Sequence, residues 1–535
     1  MFDIIIEEGQ VVDGTGKVSQ RADIGIKADK IAAIGDLAHQ TANRRLDASG
    51  MVVSPGFIDI HTHSELEFLA DGRAMSALYQ GVTTHVTGNC GMSVAPISKE
   101  SREQVQLGMA ADSYGIEWRW DSLGEWLRLL RSLPIAINVA PLVGHGTIRA
   151  TAMGFDDRPP SAKELEDMKG LLRQSMEEGA FGLSTGLVYP PGMYSDTTEL
   201  IELAKVVAEY NGLYTSHIRG EAGTLLDAIN EALTIGTESG ARVEISHHKA
   251  AGRLNWGKVA ESYALIEAAA KDHDVTFDIY PYQAGNAALG QLLPPWSLAG
   301  GTSKLLERLR DKEERRRIYH DIIHGCPNWA NYFPIDWQDI RISSLVSCDK
   351  QWMTGLSVEE IATQLNRDPV ELVMDLVYSE ANQVSMVNFV ISPEDIEFLL
   401  PKPLAMIGSD GRAVSPDGPT GLGHPHPRYY GTFPRILARY VRDKGILTLE
   451  AAIHKMTGMP AAKLRLHRRG LIKPGYYADV TVFSSDKVQD RATFADPCQL
   501  ATGVEWVLVN GNIALDRGKQ ASTRAGRILS PAHII

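Results

Sequence analysis

Residues 55–64 read PGFIDIHTHS. A short apolar run ends there in two histidines one residue apart, His61 and His63. In an extended strand, residues i and i+2 point to the same face, so both imidazoles converge on one point just past the strand end. That geometry suits a metal ion, for which imidazole is the commonest side-chain ligand. Alone the pair is weak evidence. The question is whether other segments end in the same way.

They do. Apolar, β-like runs recur along the middle of the chain: VVSPGFIDI ending at His61, VTTHVTGN at Cys90, IAINVAPLVG at His145, FGLSTG near Ser184, GLYTS at His217, RVEIS at His247, VTFDI at Tyr280 and LAMIGS at Asp410. Helix-like stretches such as SAKELEDMKGLLRQSMEEG separate most of them. Strands alternating with helices imply parallel βα units, and eight such units predict an α/β fold of the TIM-type (β/α)8 barrel class. The gap of about 285–400 is too long for one crossover and reads as an insertion over the barrel mouth. Its charged stretch SKLLERLRDKEERRRIYHD is a solvated helix face. Both ends of the chain read as short strands with D-G, T-G and N-G turns. Residues 1–55 and 466–535 are therefore expected to form one small β-sandwich domain flanking a barrel at 56–465.

Bulk properties narrow the function. At 535 residues the chain exceeds a single compact core. Apolar residues make up 44% and charged residues 22%, the balance of a soluble globular protein. A formal net charge of −13 argues against a nucleic-acid binder. Four scattered cysteines, without a C-x-x-C pair, fit reduced thiols rather than a disulfide framework. The opening MFDIIIEEGQ lacks a basic segment followed by a long apolar one, and no apolar stretch approaches the roughly 20 residues of a membrane span. The expectation is a cytoplasmic protein with a small-molecule substrate and neither nucleic-acid nor membrane partners. Homo-oligomer formation stays open.

His61, His63, Cys90, His217, His247 and Asp410 all fall at run ends, which meet at the C-terminal face of a barrel, where active sites lie. Imidazole together with thiolate suits zinc. A cysteine, two histidines and a water would form a tetrahedral catalytic site with one open position. Asp410, in IGSDGR, is placed to act as general base. In SHHK either His247 or His248 qualifies as the ligand. Lys249, Tyr282 and Arg428 are candidates for binding a substrate carboxylate, with arginine favoured for forked contacts. Tyr189 and Tyr194 are candidate pocket residues, whereas His145 reads as a satisfied interior histidine.

PGFIDIHTHS resembles the opening signature of the amidohydrolase superfamily. TGNCG, SHIRGE, ISHHKAAGRLNWGK, DIYPYQAGN, GSDGRAVSPDGP, HPRYYGTFPR and VLVNGNIALDRGK together resemble the D-aminoacylase branch, the N-acyl-D-amino-acid deacylases. The resemblance implies zinc-dependent hydrolysis of N-acyl-D-amino acids to a carboxylate and a free D-amino acid. It implies one tight zinc held by Cys90, His217 and His247, and a weaker second site at His61, His63 and Asp410. It also resolves SHHK in favour of His247. The chain departs from the family's Y-T-A-x-S-T pattern, carrying Tyr282, Gln283, Ala284, Gly285, Asn286 and Ala287 there, so amide and methyl groups replace hydroxyls. A cyclic-amide hydrolase of the dihydroorotase or hydantoinase type is the alternative activity. A non-catalytic scaffold would be expected to lose ligands, and none of the six is missing.

Overall fold

A computed structural model describes residues 1–109, 114–326, 329, 335–421 and 423–531. Parts of the expected insertion (327–328 and 330–334) and the last four residues of the expected C-terminal β segment lie outside the described residues.

The apolar runs of the middle become short parallel strands. They are Phe57–Asp59, Val82–Thr87, Asn138–Pro141 continued at Val143–Gly144, Gly182–Gly186, Leu213–His217, Arg242–Ile245, Val275–Ile279 and Ala405–Ile407. Nearly every residue in them is buried, which explains continuous rather than alternating apolar character. Each strand pairs in parallel with the next one in chain order. The first and last runs also meet, through a parallel bridge between Thr62 and Gly411. The Asp410 amide donates to the His61 carbonyl at 2.8 Å and the His63 amide to the Gly411 carbonyl at 2.9 Å.

Helices follow the strands with local signals that start and stop them. Ala162–Glu178 begins at a Ser161–Glu164 capping box and ends at Gly179, whose φ is 130°. Thr197–Glu209 begins at Asp196, whose carboxylate accepts from the Glu199 amide. These contacts satisfy backbone groups that the first helical turn leaves unpaired.

The chain ends build one hydrogen-bonded sheet of nine strands, branched at Phe2–Val11. The two halves join where Val52–Pro55 pairs antiparallel with Val480–Phe483. Asn510-Gly511 turns the hairpin between Val504–Val509 and Asn512–Asp516, both turn residues having positive φ as a tight hairpin requires. Ile4, Ile6, Ile24, Val53, Val480, Val482 and Leu508 share this sheet's own apolar core.

Between Val275–Ile279 and Ala405–Ile407 the chain forms a second small sheet from Gly285–Ala288, Ile340–Ser344 and Ser385–Asn388, with accompanying helices. Its core, including Leu305, Ile318, Ile342, Ile361 and Val373, is a cluster separate from that of the parallel strands. Among the described residues, no helix is long and apolar enough to cross a membrane.

Candidate metal centre

The strand ends deliver their side chains to one buried cluster. The Cys90 Sγ lies 3.3 Å from His61 Nε2 and 3.5 Å from His247 Nε2. The His217 ring packs edge-on against that of His247, with centroids 4.4 Å apart, and also interacts with the thiol. His63 Nε2 is 3.2 Å from one Asp410 carboxylate oxygen, and His61 Nε2 is 3.8 Å from it. Among the described residues, three overlapping groups of side chains have ligand atoms close enough to share an ion: His61, Cys90 and His247; His61, His63 and Asp410; and His217, Glu221 and His247.

All six run-end residues from the sequence are therefore gathered together. One detail differs from the ligand sets implied by resemblance. His61 touches the Cys90 thiol directly, so it bridges the group around the thiol and the group around Asp410.

Carboxylates behind the imidazoles set their orientation. Asp278 accepts from His61 Nδ1 at 3.1 Å and from the His247 amide at 2.9 Å. With Nδ1 donating, the His61 Nε2 lone pair faces Cys90, as a metal ligand requires. Glu221 lies 3.0 Å from His247 Nδ1 and accepts a close hydrogen bond from Lys249. The Lys249 ammonium is thus compensated by Glu221. His248 points elsewhere, its Nε2 3.0 Å from the Ser262 hydroxyl.

Burial and charge act together on these groups. Burial opposes ionisation of the Cys90 thiol, yet the charges of His61 and His247 outweigh it and hold the thiol well below its ordinary value. Burial likewise opposes ionisation of Asp410, and Arg428, His63 and His61 overcome it, keeping the carboxylate well below its usual range. His63 is raised to about 9 against its burial, chiefly by the hydrogen bond to Asp410. A buried, charge-stabilised thiolate surrounded by imidazoles is a donor set for a borderline soft cation such as zinc. His217 adds a buried Nδ1 without a hydrogen-bond partner.

Arg428 is 3% exposed, with Nη1 3.0 Å from Asp410 Oδ2. This contact is ionic and lacks hydrogen-bond geometry, since neither Nη1 nor Nε has an acceptor among the described residues. The guanidinium rests 4.9 Å from the centre of the Tyr280 ring. Tyr189 packs edge-on against His217, with centroids 5.0 Å apart. Tyr282 sits further back, against His426 and Phe494, under the Arg435 guanidinium. Tyr194 donates to the Pro295 carbonyl at 3.3 Å. His145 is paired with Glu199 at 2.7 Å in the interior.

Sequence reasoning missed Asp278, Glu221 and Tyr280 as parts of this site. Asp278 left a signal, because an acid inside the buried run VTFDI requires a partner. Glu221 left only its place four residues after His217.

Comparison with known proteins gives the family of the chain. A family model described as "Amidohydrolase family" matches residues 44–294 and 337–515. The chain belongs to the amidohydrolase family. It is 36% identical over 532 residues to the D-aminoacylase of Alcaligenes xylosoxydans xylosoxydans, covering 99% of this chain and 98% of that protein. It is 37% identical over 529 residues to the N-acyl-D-glutamate deacylase of the same organism, covering 99% and 96%. The crystal structure of N-acyl-D-glutamate deacylase from Bordetella bronchiseptica, complexed with zinc and a phosphonate mimic of the tetrahedral intermediate, superposes with a TM-score of 0.83 at 33% identity, covering 99% of each chain.

Proposed function

We propose that this amidohydrolase is a zinc-dependent deacylase of N-acyl-D-amino acids, with its site at the C-terminal mouth of a TIM-type barrel formed by the eight parallel strands. The observation that carries this reading is the meeting of Cys90, His61 and His247 around one point, with His217 against them and Asp410 adjoining through His63. Full-length similarity to proteins described as a D-aminoacylase and an N-acyl-D-glutamate deacylase supports the choice of substrate class.

Cys90, His217 and His247 would hold the tight ion, with His61 shared toward a weaker position at His63 and Asp410. Zinc held there would supply Lewis-acid chemistry, acidifying water and polarising the amide carbonyl. Asp410 takes the proton from the attacking water and returns it to the departing nitrogen, general base and then general acid. Arg428 and the imidazoles keep its carboxylate ionised against its burial. Asp278 and Glu221, with Lys249, fix the ring orientations of His61 and His247. The buried Arg428 donors without acceptors are suited to the α-carboxylate of the substrate.

The test is a screen of N-acetyl-D- and N-acetyl-L-amino acids, D-Glu and D-Asp among them, together with hydantoins and with zinc measured in parallel. Hydrolysis of D-enantiomers, abolished by chelation and restored by zinc, is expected. Turnover of hydantoins alone, or activity indifferent to chelation, would overturn the proposal.

A further inference from the structure

A cleft opens directly beside Cys90. Its walls are Met92, Val105, Met109, Ala150 and Phe155, with Tyr189 at the end nearest His217. Among the described residues, no aspartate, glutamate, lysine, arginine or histidine lines it, and Gln104 contributes an amide to its wall. The Thr147 hydroxyl that faces it is already spent on Ser93, donating to its carbonyl and accepting from its amide, both at 2.9 Å. Strand-end backbones meet closely at its glycines: a Cβ at Gly186 would lie 2.1 Å from the Cys90 carbonyl oxygen, and one at Gly146 would lie 2.9 Å from the Gly91 carbonyl oxygen.

The charged groups stand on the other side of the cluster. Arg428 contacts Asp410 after the eighth parallel strand, Tyr280 follows the seventh and Lys249 the sixth. The cleft borders the ends of the second to fourth strands, at Cys90, Gly146 and Gly186. In hydrolysis the carbonyl carbon gains a bond to the water oxygen and loses its bond to nitrogen. The water proton travels through Asp410 to that nitrogen, and the products are a carboxylic acid and an amine. The leaving nitrogen must therefore face Asp410, which puts the amino-acid half and its carboxylate beside Arg428. The acyl half then points across the cluster toward Cys90.

We infer that the apolar cleft beside Cys90 receives the acyl chain, and that the preferred substrates carry aliphatic or arylalkyl acyl groups of several carbons rather than formyl or acetyl. This rests on the deacylase reading above. An acetyl methyl would reach only the part of the cleft nearest Cys90, while each further buried methylene is worth roughly a three- to fourfold gain in kcat/KM.

The experiment measures kcat/KM on acetyl, butyryl, hexanoyl, octanoyl and phenylacetyl derivatives of a panel of D-amino acids. It uses the zinc-loaded wild type and two variants, Ala150→Phe, which fills the cleft, and Met109→Ala, which enlarges it. Zinc content and circular dichroism verify each variant. The hexanoyl-to-acetyl ratio is expected to exceed tenfold in the wild type and to fall at least tenfold in Ala150→Phe. Met109→Ala, on a half-buried side chain, is expected to move the optimum to a longer chain. Turnover with no gain beyond acetyl, or a ratio unchanged in both variants, overturns the acyl assignment alone. So does a response in which Ala150→Phe alters preference for the amino-acid side chain but not for chain length. Absence of turnover on every acyl-D-amino acid overturns the deacylase reading, and this inference with it.

Discussion

Cys90, His247 and Asp410 hold their backbones in the left-handed region, with φ of 53°, 36° and 50°. Such a conformation costs a residue bearing a Cβ roughly 1 kcal/mol or more, and it persists where surrounding contacts over-determine it. Here it turns three side chains inward just past their strands, where a regular continuation would carry them elsewhere. Asp278 helps to hold one of these turns, accepting the His247 amide with one oxygen while the other orients His61. Asp278→Asn is expected to weaken zinc affinity or kcat/KM by about 10- to 100-fold, the usual loss when an orienting carboxylate is removed; zinc titration with parallel kinetics checks it, and wild-type values would end the orienting role. Asp410→Asn is expected to keep the tight zinc while losing roughly 10²- to 10⁴-fold in kcat, the scale of general acid–base catalysis. Zinc content measured beside turnover separates the two effects, and a variant with full turnover would remove Asp410 from proton transfer.

The eight runs were legible as elements because each parallel strand is buried on both faces and so is written as a short apolar stretch. Their polar last residues stand out against that background, which is why the six residues gathered in the buried cluster were readable in advance. Glu221, in the loop after Leu213–His217, was not, because loop positions carry no periodicity. The third strand is interrupted at Leu142, between Asn138–Pro141 and Val143–Gly144, a break that no feature of the sequence announces. Between the second and fourth strands the backbones come so close that Gly186 has no room for a side chain. Gly186→Ala is expected to cost about 1–3 kcal/mol of stability as an overpacking change, and to lower zinc retention as well, since the atom it would strike is the Cys90 carbonyl oxygen. Denaturant unfolding and metal analysis test this. An alanine variant that retains both would show that the strand ends are free to move apart.

At the scale of the molecule, separate apolar cores serve the terminal sheet, the parallel array and the segment inserted before the last parallel strand. Buried histidines tie folding of the array to pH. Burial holds His85 down to about 3, and burial with the Lys249 charge does the same to His248. In the unfolded chain a histidine titrates near 6.5. Between those values the unfolded state binds protons that the folded state does not, so each group's contribution is complete above about pH 6.5 and is lost as pH falls toward 3, by up to about 1.4 kcal/mol per pH unit. The stability advantage of the wild type over His85→Asn is therefore expected to narrow between pH 7.5 and 5.5. Thermal unfolding of both proteins across that range measures it, and an advantage that stays constant would mean His85 titrates in the native state as it does in the unfolded chain. By itself the amino-acid sequence determined the alternation of buried strands and helices, the turns of the terminal sheet and the residue types available for metal chemistry, since these follow from local burial pattern and side-chain chemistry. Only the tertiary structure decided that His61 joins Cys90, that Lys249 is neutralised by Glu221, that Tyr280 rather than Tyr282 underlies Arg428, and that an apolar cleft adjoins the thiol. Those are distances between residues remote along the chain, and they are set by how strands from different parts of the sequence come into register.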